Sequence, residues 1–472
     1  MIDTYRPATY GELRLRSLIR EGFLRARRTG RPVMVSTTAA ITPADPLAVF
    51  ASGAKLARER FLWSCPSLGY ELAGIGAAWT IDAAGPARFA EARRAWDRLR
   101  AEAITGDLPD AIGTGPLLLG GFSFDPATTS APQWREFPDA LLTVPRYTVA
   151  STDGACWLTI TAVLEPGAPE PDFEELLAPL ALLLGKAAVY QPQSHDNPLT
   201  VEDALPADEW QAIVRTAIER MGSSDIEKVV LARECRVRAA RPLDRAATLA
   251  RLRADYPGCF IYAVDRGPSC FLGASPERLV RLRRGDVLST CLAGSIARGA
   301  TLEEDTRLGQ ELLASTKDRH EHEVVVRGLR DALAPVCREL SVPAAPTLMK
   351  VRNVQHLFTP VTGQVAPGQT VLDLVERLHP TPAVGGLPRE EAMALIRDVE
   401  RMDRGWYAAP VGWMDTRGDG EFAVALRCGL VRAQDASLFA GCGIVSDSDP
   451  EREYAESRLK LRPMLSALGG TR

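Results

Sequence analysis

The sequence has no cysteine pair at metal-ligand spacing, no block of basic residues and no apolar run long enough to cross a membrane. Its nine cysteines are scattered from residue 65 to residue 442, and none belongs to a CxxC pair. This pattern argues against a zinc ribbon or a disulfide framework and is typical of reduced thiols in the cytoplasm. Residues 1–6 also lack the charged-then-apolar form of a signal peptide. We therefore expect a cytoplasmic protein.

Charge and hydropathy exclude further classes of protein. The chain has 56 basic and 60 acidic residues with no basic block, so we expect it to bind neither nucleic acid nor a membrane surface. Its most apolar run, residues 176–184, contains Pro179 and is too short to span a bilayer. Hydrophobic residues make up 46% of the chain, which is normal for a soluble globular protein with an ample core.

The length of 472 residues predicts about two to three domains or one large α/β unit. Residues 188–206 are polar and contain proline, which makes them the best candidate for a linker. This linker would separate an N-terminal part, residues 1–190, from a second part, residues 205–472, which carries most of the motifs. The clearest signal of the first part is residues 116–126, a predicted buried strand whose glycine pair lets another backbone pack closely.

A charged helix is predicted at the end of the second part. Asp449 and Pro450 suit the N-cap and first turn of a helix, in which Glu453, Glu456 and Lys460 then share one face. The preceding run, residues 441–445, begins with small residues, which allow other groups to approach its backbone closely. Two carboxylates and an ammonium on one face suit a hard cation and an anionic ligand. A solvated face with a Glu–Lys pair explains the same pattern.

Two further residues have a catalytic and a structural interpretation. Lys228 begins an apolar strand, where it lies either at the wet edge or in a desolvated place that favours a neutral amine. Glu277 follows a proline in a tight turn, so its direction is well fixed. It could act as a general acid or pair with Arg278 or Arg281 on the surface.

A long helix is predicted over residues 303–339, and two nearby histidines in it suggest a zinc site. His320 and His322 are two residues apart, however, so on a helix they point in nearly opposite directions, whereas the zinc motif needs a spacing of four. Glu321 is the better ligand candidate and suits Mg²⁺. Strands are predicted over residues 406–413 and 422–431, and His356 is more often a core or loop histidine than a catalytic one.

Taken in order, these motifs resemble the chorismate-utilising enzymes, and among them the isochorismate synthases. The resemblance covers roughly residues 205–468, with one outlying motif at residues 120–125. Besides the closing helix, its elements are Lys228–Arg233, Ala274–Glu277, Leu292–Ser295, Lys317–Glu323, His379–Ala383 and Gly441–Val445.

The resemblance implies a fold and an activity. The fold would be a single intertwined α/β unit of the α+β type, with two stacked, largely antiparallel sheets and helices outside, as in anthranilate synthase component I. The linker would then be an excursion within one unit, and the protein would be a monomer. Residues 205–472 would bind chorismate and isomerise it to isochorismate with Mg²⁺, by attack of water at C2 and loss of the C4 hydroxyl.

It also implies a role for each site residue. Lys228 would be the base that activates water, and Glu277 would protonate the departing hydroxyl. Glu321 and Glu456 would hold Mg²⁺, with Glu453 supporting the ion through water. The implied substrate contacts are Gly294, Ser295, His356, Ala383, Tyr407, Arg427, Gly441 and Lys460, in which Arg427 and Tyr407 would hold the enolpyruvyl carboxylate.

Relatives with other activities differ from this chain at identifiable positions. Anthranilate synthases resemble it less at Lys228, because an enzyme that uses ammonia needs no water-activating lysine. Salicylate synthases, which also eliminate pyruvate, typically have Thr where this chain has Ala383. A salicylate synthase and a non-catalytic chorismate-binding protein remain the alternatives, and the downstream pathway (siderophore, salicylate or quinone) is left open.

Overall fold

The computed structural model describes residues 9–106, 108–128, 131–185, 190–191, 197–352 and 354–469. The α-helices are α1 (Thr9–Thr29), α2 (Pro46–Ser52), α3 (Arg88–Ala101), α4 (Phe173–Leu177), α5 (Leu180–Leu184), α6 (Ala207–Met221), α7 (Arg245–Asp255), α8 (Leu302–Ala314), α9 (Thr316–Leu333), α10 (Val371–Leu378), α11 (Arg389–Val399) and α12 (Pro450–Leu468). Short 3₁₀ helices lie at Gly53–Lys55, Pro66–Leu68 and Pro132–Trp134.

The strands are β1 (Val33–Ile41), β2 (Glu59–Cys65), β3 (Tyr70–Ala83), β4 (Ile104–Thr105), β5 (Leu117–Phe122), β6 (Ala140–Thr152), β7 (Ala155–Leu164), β8 (Leu199–Asp203), β9 (Lys228–Ala239), β10 (Phe260–Arg266), β11 (Ser269–Ser275), β12 (Arg278–Arg283), β13 (Asp286–Ala297), β14 (Cys337–Ser341), β15 (Thr347–Lys350), β16 (Val354–Val365), β17 (Gly386–Leu387), β18 (Pro410–Asp415), β19 (Gly420–Val424), β20 (Cys428–Arg432) and β21 (Asp435–Ile444).

The strands form two arms of antiparallel sheet joined through the long strands β3 and β6, with one parallel pair, β1–β4, at an edge. The first arm runs β4-β1-β7-β6-β3-β2-β10-β11-β20-β21-β9-β8. The second runs β6-β5-β18-β19-β12-β13-β16, with β14 and β15 beyond β16. The short strand β17 pairs with the start of β9.

One of the two hydrophobic cores contains side chains of both arms, whereas the other packs helices such as α1, α2 and α7 against the first arm. Trp134 makes edge contact with Phe271 at a ring-centroid distance of 5.6 Å, and Phe137 does the same with Trp406 at 5.3 Å. Strand pairing also crosses the predicted linker, because β2 pairs with β10 and β5 pairs with β18. The predicted α+β architecture, largely antiparallel with helices outside, is therefore confirmed.

Three local predictions were wrong in part, because the backbone turns within each predicted element. The predicted helix over residues 303–339 is two helices and a strand, since Ser315 adopts an extended conformation and its hydroxyl caps α9 by accepting the Asp318 N–H. Tyr407 lies in a turn before β18 rather than in a strand. The predicted strand over residues 422–431 is split at Arg427, whose φ is +49°.

Within the described ranges, no helix combines the length and the apolar character needed to cross a membrane.

Candidate functional site

A single cavity collects the residues that the motifs pointed to. It encloses about 950 Å³ of empty space including its mouth, and its lining comes from strands of both arms and from helices α9 and α12. The predicted residues in its wall are Lys228, Glu277, Gly294, Ser295, Glu321, His356, Ala383, Tyr407, Arg427, Gly441, Glu453, Glu456 and Lys460. The structure thus brings every predicted site residue together, although they span more than 230 positions.

Glu277 is held in the turn between β11 and β12. Its backbone N–H donates to the Ser275 hydroxyl at 3.2 Å, and that hydroxyl donates to the Val424 carbonyl at 2.6 Å. Arg278 pairs with Glu421 at 2.6 Å, so it is engaged away from Glu277. Burial raises the pKa of the Glu277 carboxyl to about 8, against the smaller opposing effect of Lys228 and Lys460. Glu277 is therefore protonated at neutral pH.

Lys228 is desolvated, not at the wet edge of its strand. Its side chain is 1% exposed, and its Nζ lies 2.8 Å from Oε1 of Glu321 on α9. Burial would raise the pKa of Glu321, but the charge of Lys228 and its hydrogen bond outweigh burial and hold that pKa below its ordinary value. Glu321 is therefore a carboxylate.

The strand β21 leaves room for this pair because it has a glycine at residue 443. A Cβ at Gly443 would lie 2.5 Å from Oε1 of Glu321 and 2.7 Å from Cε of Lys228, closer than real Cβ atoms approach. The small-residue run noted in the sequence therefore serves the Lys228–Glu321 pair directly.

The zinc interpretation of helix α9 fails on geometry. His320 is exposed to solvent, whereas His322 is buried on another face. The His322 Nε2 lies 2.8 Å from the Thr359 hydroxyl and its Nδ1 lies 3.2 Å from the Ala293 carbonyl oxygen, so this histidine is tied to β13 and β16.

Helix α12 begins as predicted, with the Asp449 side chain accepting the Arg452 N–H at 2.9 Å and Pro450 in the first turn. Glu453 is buried, and its Oε1 accepts a hydrogen bond from the Ser448 hydroxyl at 2.9 Å. Burial raises the pKa of Glu453 to about 6, and the nearby carboxylate of Glu456 adds to the effect. Two carboxylates crowded in this way favour a bound cation between them.

Lys460 faces the cavity one helical turn from Glu456. Its Nζ lies 2.6 Å from Oε1 of Glu456 and donates to the Gly441 carbonyl at 2.9 Å. Burial would lower the pKa of Lys460, but the Glu456 carboxylate outweighs it and the pKa is raised above its ordinary value. Lys460 is therefore a fixed positive charge in the wall.

The donor set of this wall fits a hard cation. Carboxylate oxygens of Glu453 and Glu456 and the sulfur of Cys442 lie within 4.8 Å of one another, and Glu321 lines the same cavity. Carboxylate oxygen is the donor that Mg²⁺ and Ca²⁺ prefer. Burial also raises the pKa of Asp318, and the nearby charges of Glu321 and Glu456 add to the shift, as expected of an acidic wall that a cation would relieve.

The structure adds two residues that sequence reasoning missed. Asp318 and Lys317 line the cavity from the first turn of α9, and Nζ of Lys317 lies 3.5 Å from Oε1 of Glu453. Asp318 lies three residues before Glu321, so helical spacing alone could have placed both on one face. Lys317 pairs with a residue 136 positions away along the chain, and no local pattern indicates that.

Another part of the cavity wall has polar groups suited to an organic anion. The Ser295 hydroxyl lies 2.8 Å from Nδ1 of His356, while the buried Nε2 of His356 has no hydrogen-bond partner in the described part of the chain. Burial, with the charges of Arg427 and Lys460, lowers the pKa of His356 to about 3, so the ring is neutral. The preceding Gly294 has a φ of +74° at a β-bulge, where a Cβ would come within 3.0 Å of Asp318.

Arg427 and Tyr407 complete this wall. The left-handed conformation of Arg427 is uncommon for a residue with a side chain and is typical of functional positions, and burial lowers the pKa of its guanidinium. Tyr407 stacks on Phe439 at a centroid distance of 5.5 Å. A Cβ at Gly441 would lie 3.0 Å from the Tyr407 hydroxyl.

Comparison with known proteins gives this cavity a family. The family model described as "Chorismate binding enzyme" matches residues 21–469. The chain belongs to the chorismate-binding enzymes. The family predicted from the motifs is therefore confirmed, and the match extends well beyond the region in which the motifs were found.

Individual relatives agree with the family model. An isochorismate synthase of Bacillus subtilis (strain 168) is 38% identical over 95% of this chain and 96% of its own length. A salicylate biosynthesis isochorismate synthase of Pseudomonas aeruginosa is 40% identical over 97% and 95%. The solved menaquinone-specific isochorismate synthase of Escherichia coli has the same fold, with a TM-score of 0.76 at 24% identity, covering 96% of this chain and 99% of that one.

Proposed function

We propose that this chorismate-binding enzyme is an isochorismate synthase that isomerises chorismate to isochorismate with Mg²⁺. The observation that carries the proposal is that a buried lysine, Lys228, and a buried carboxylic acid, Glu277, line one cavity. A pKa of about 8 keeps Glu277 protonated at neutral pH. The names of the two full-length relatives support the same activity.

The chemistry needs one base and one acid. Lys228, acting as a neutral amine, would take a proton from the water that attacks C2, while the ring double bond shifts and the bond between C4 and its hydroxyl breaks. Glu277 would give its proton to the departing hydroxyl, which leaves as water. The reaction releases no net proton, so the pair is reset when one proton passes from Lys228 to Glu277. Proton transfer of this kind typically contributes about 10²–10⁴-fold to the rate.

Different residues of the cavity would bind the substrate and the metal ion. Arg427 and Tyr407 would hold the enolpyruvyl carboxylate, since a guanidinium fork suits a planar carboxylate. Glu321 and Glu456 would hold Mg²⁺, with Glu453 in support and Lys460 as an anion contact. Mg²⁺ would supply positive charge for the ring carboxylate of the substrate, which the carboxylates of this wall would otherwise repel. His356, Ser295, Gly294, Gly441 and Ala383 would shape the remaining surface.

A salicylate synthase is the second candidate, because it would run the same first step and then eliminate pyruvate. Ala383 lines the cavity where such enzymes typically have threonine, which favours an enzyme that stops at isochorismate. A non-catalytic chorismate-binding protein is disfavoured, because Lys228, Glu277, Glu321 and Glu456 all face the cavity together.

One assay separates these candidates. Purified protein is incubated with chorismate and Mg²⁺, with EDTA as a control, and the products are separated by chromatography. Isochorismate alone, lost with EDTA, is the expected result. Salicylate plus pyruvate would move the protein to the lyases, and no turnover would overturn the enzymatic proposal. Light scattering on the same sample tests our further proposal that the enzyme is a monomer.

A further inference from the structure

The strand that carries Lys228 has a gap along one edge. Next to β9, the short strand β17 pairs with residues 228–229 and β8 pairs with residues 235–239. Between these two strands, the backbone N–H and carbonyl groups of Val230 and Ala232 point to this edge, where no described strand pairs with them. Buried backbone groups must be paired, so other groups must take the place of the strand.

The side chains of Glu400 and Arg404 bond two of the four backbone groups in this gap. Oε1 of Glu400 accepts the Ala232 N–H at 2.7 Å, and Nη2 of Arg404 donates to the Val230 carbonyl at 2.7 Å. The rest of the edge is completed by the Gly385 carbonyl, which accepts the Val230 N–H at 2.8 Å, and by the Trp210 indole N–H, which donates to the Ala232 carbonyl at 3.1 Å.

Arg404 also reaches the turn that contains Ala383. Its Nη1 donates to the Val384 carbonyl at 2.8 Å, and Val384 follows Ala383 in the cavity wall. Its Nε donates to Oε2 of Glu400 at 2.8 Å, and its guanidinium lies over the ring of Phe124 at 4.2 Å. One planar group therefore joins the strand of Lys228 to the turn of Ala383.

The Glu400–Arg404 pair is almost fully buried, with side chains 4% and 3% exposed. A buried ion pair is a poor source of net stability, because desolvation of both charges offsets their attraction. Its hydrogen bonds here are directional and go to two separate segments of the cavity wall. The pair is therefore better explained by how it positions these two segments than by a gain in the free energy of unfolding.

We propose that Glu400 and Arg404 are positioning residues that fix Lys228 relative to the Ala383 turn. The inference rests on the proposed function, since it assigns them to the base of that reaction. Small displacements of reacting groups are costly, and a shift of about 1 Å can lower the rate about 10²-fold. Neither side chain lines the cavity, so both act through the backbone.

The test uses Arg404→Lys and Glu400→Gln in the full-length enzyme. Lysine keeps the charge but has no fork to reach Val230, Val384 and Glu400 at once. The matched control is the exposed pair Arg307–Glu311 on α8, changed in the same way to Arg307→Lys and Glu311→Gln. For every variant, kcat and KM for chorismate are measured beside Mn²⁺ affinity and hydrogen exchange of the Ala232 amide.

We expect Arg404→Lys to lower kcat about 10²-fold, with KM and Mn²⁺ affinity little changed, because the metal ligands belong to α9 and α12. Glu400→Gln should lower kcat less and speed exchange of the Ala232 amide. The α8 control should match the wild type. If kcat fell only in proportion to the number of Mn²⁺-binding sites, the pair would have a structural role alone. An unchanged kcat would overturn the proposal. Failure of the wild type to make isochorismate would instead defeat the proposed function.

Discussion

The cavity contains two kinds of buried carboxyl group, and their surroundings set them apart. Oε1 of Glu321 lies 2.8 Å from Nζ of Lys228, and the pKa of the Glu321 carboxyl falls below its ordinary value. Glu277 is also buried, but the charges of Lys228 and Lys460 only partly offset its desolvation, and its pKa rises to about 8. A glutamate side chain is thus a carboxylate where a lysine contacts it and a carboxylic acid where no lysine does.

The largest effect is expected from removing the proton donor. Glu277→Gln keeps the shape of the side chain but cannot protonate the leaving hydroxyl, so kcat should fall about 10²–10⁴-fold while chorismate still binds. In the wild type, turnover should fall as the pH rises through about 8, where Glu277 loses its proton. Steady-state kinetics and equilibrium binding measure both. A variant with near-normal kcat would remove Glu277 from the role of acid.

The contact between Lys228 and Glu321 can be broken without touching either residue. Gly443→Ala places a Cβ against Oε1 of Glu321 and Cε of Lys228. Both are ends of flexible side chains, so the protein should fold, but the pair must shift and kcat should fall about 10²-fold. Gly258→Ala is the control, since its Cβ meets no described atom within 4 Å. Equal activity of the two variants would contradict the role of the pair.

The acidic wall is tested through its metal dependence. Glu456→Gln removes a proposed ligand and the partner of Lys460, so the Mg²⁺ concentration for half-maximal activity should rise about 10-fold or more. Glu451→Gln, on the exposed side of the same helix, should leave the titration unchanged. A Glu456→Gln titration that overlays the wild type would place the ion elsewhere.

The last effect concerns stability and has a definite sign. Glu277 keeps its proton in the folded state up to a pH of about 8, whereas the unfolded chain releases it near its ordinary pKa of 4.5. Between these values the folded state binds more protons, so stability falls as the pH rises, by at most about 1.4 kcal/mol per pH unit. Glu277→Gln should abolish this part of the slope. Urea unfolding at pH 5 and pH 8 measures it, and equal slopes in variant and wild type would argue against a raised pKa.

Much of the site could be predicted because its residues lie in short motifs whose order identifies a family. Taken alone, Lys228, Glu277 and Glu456 each also had a structural interpretation. What could not be predicted depends on contacts between distant segments or on single backbone angles. The Lys317–Glu453 contact and the side chains that complete the edge of β9 join elements far apart in the chain, and the breaks at Ser315 and Arg427 interrupt patterns that otherwise continue.

The crossing of strands between the two parts of the chain limits how the enzyme can be divided. All residues that line the cavity come from residue 228 onward, so residues 197–469 look sufficient for catalysis. Yet β10 and β18 would then lose β2 and β5 and expose two unpaired strand edges, which invite aggregation. Chimeras between relatives should therefore exchange matched pairs of strands from both parts, because a single cut at the linker separates the active site from its scaffold.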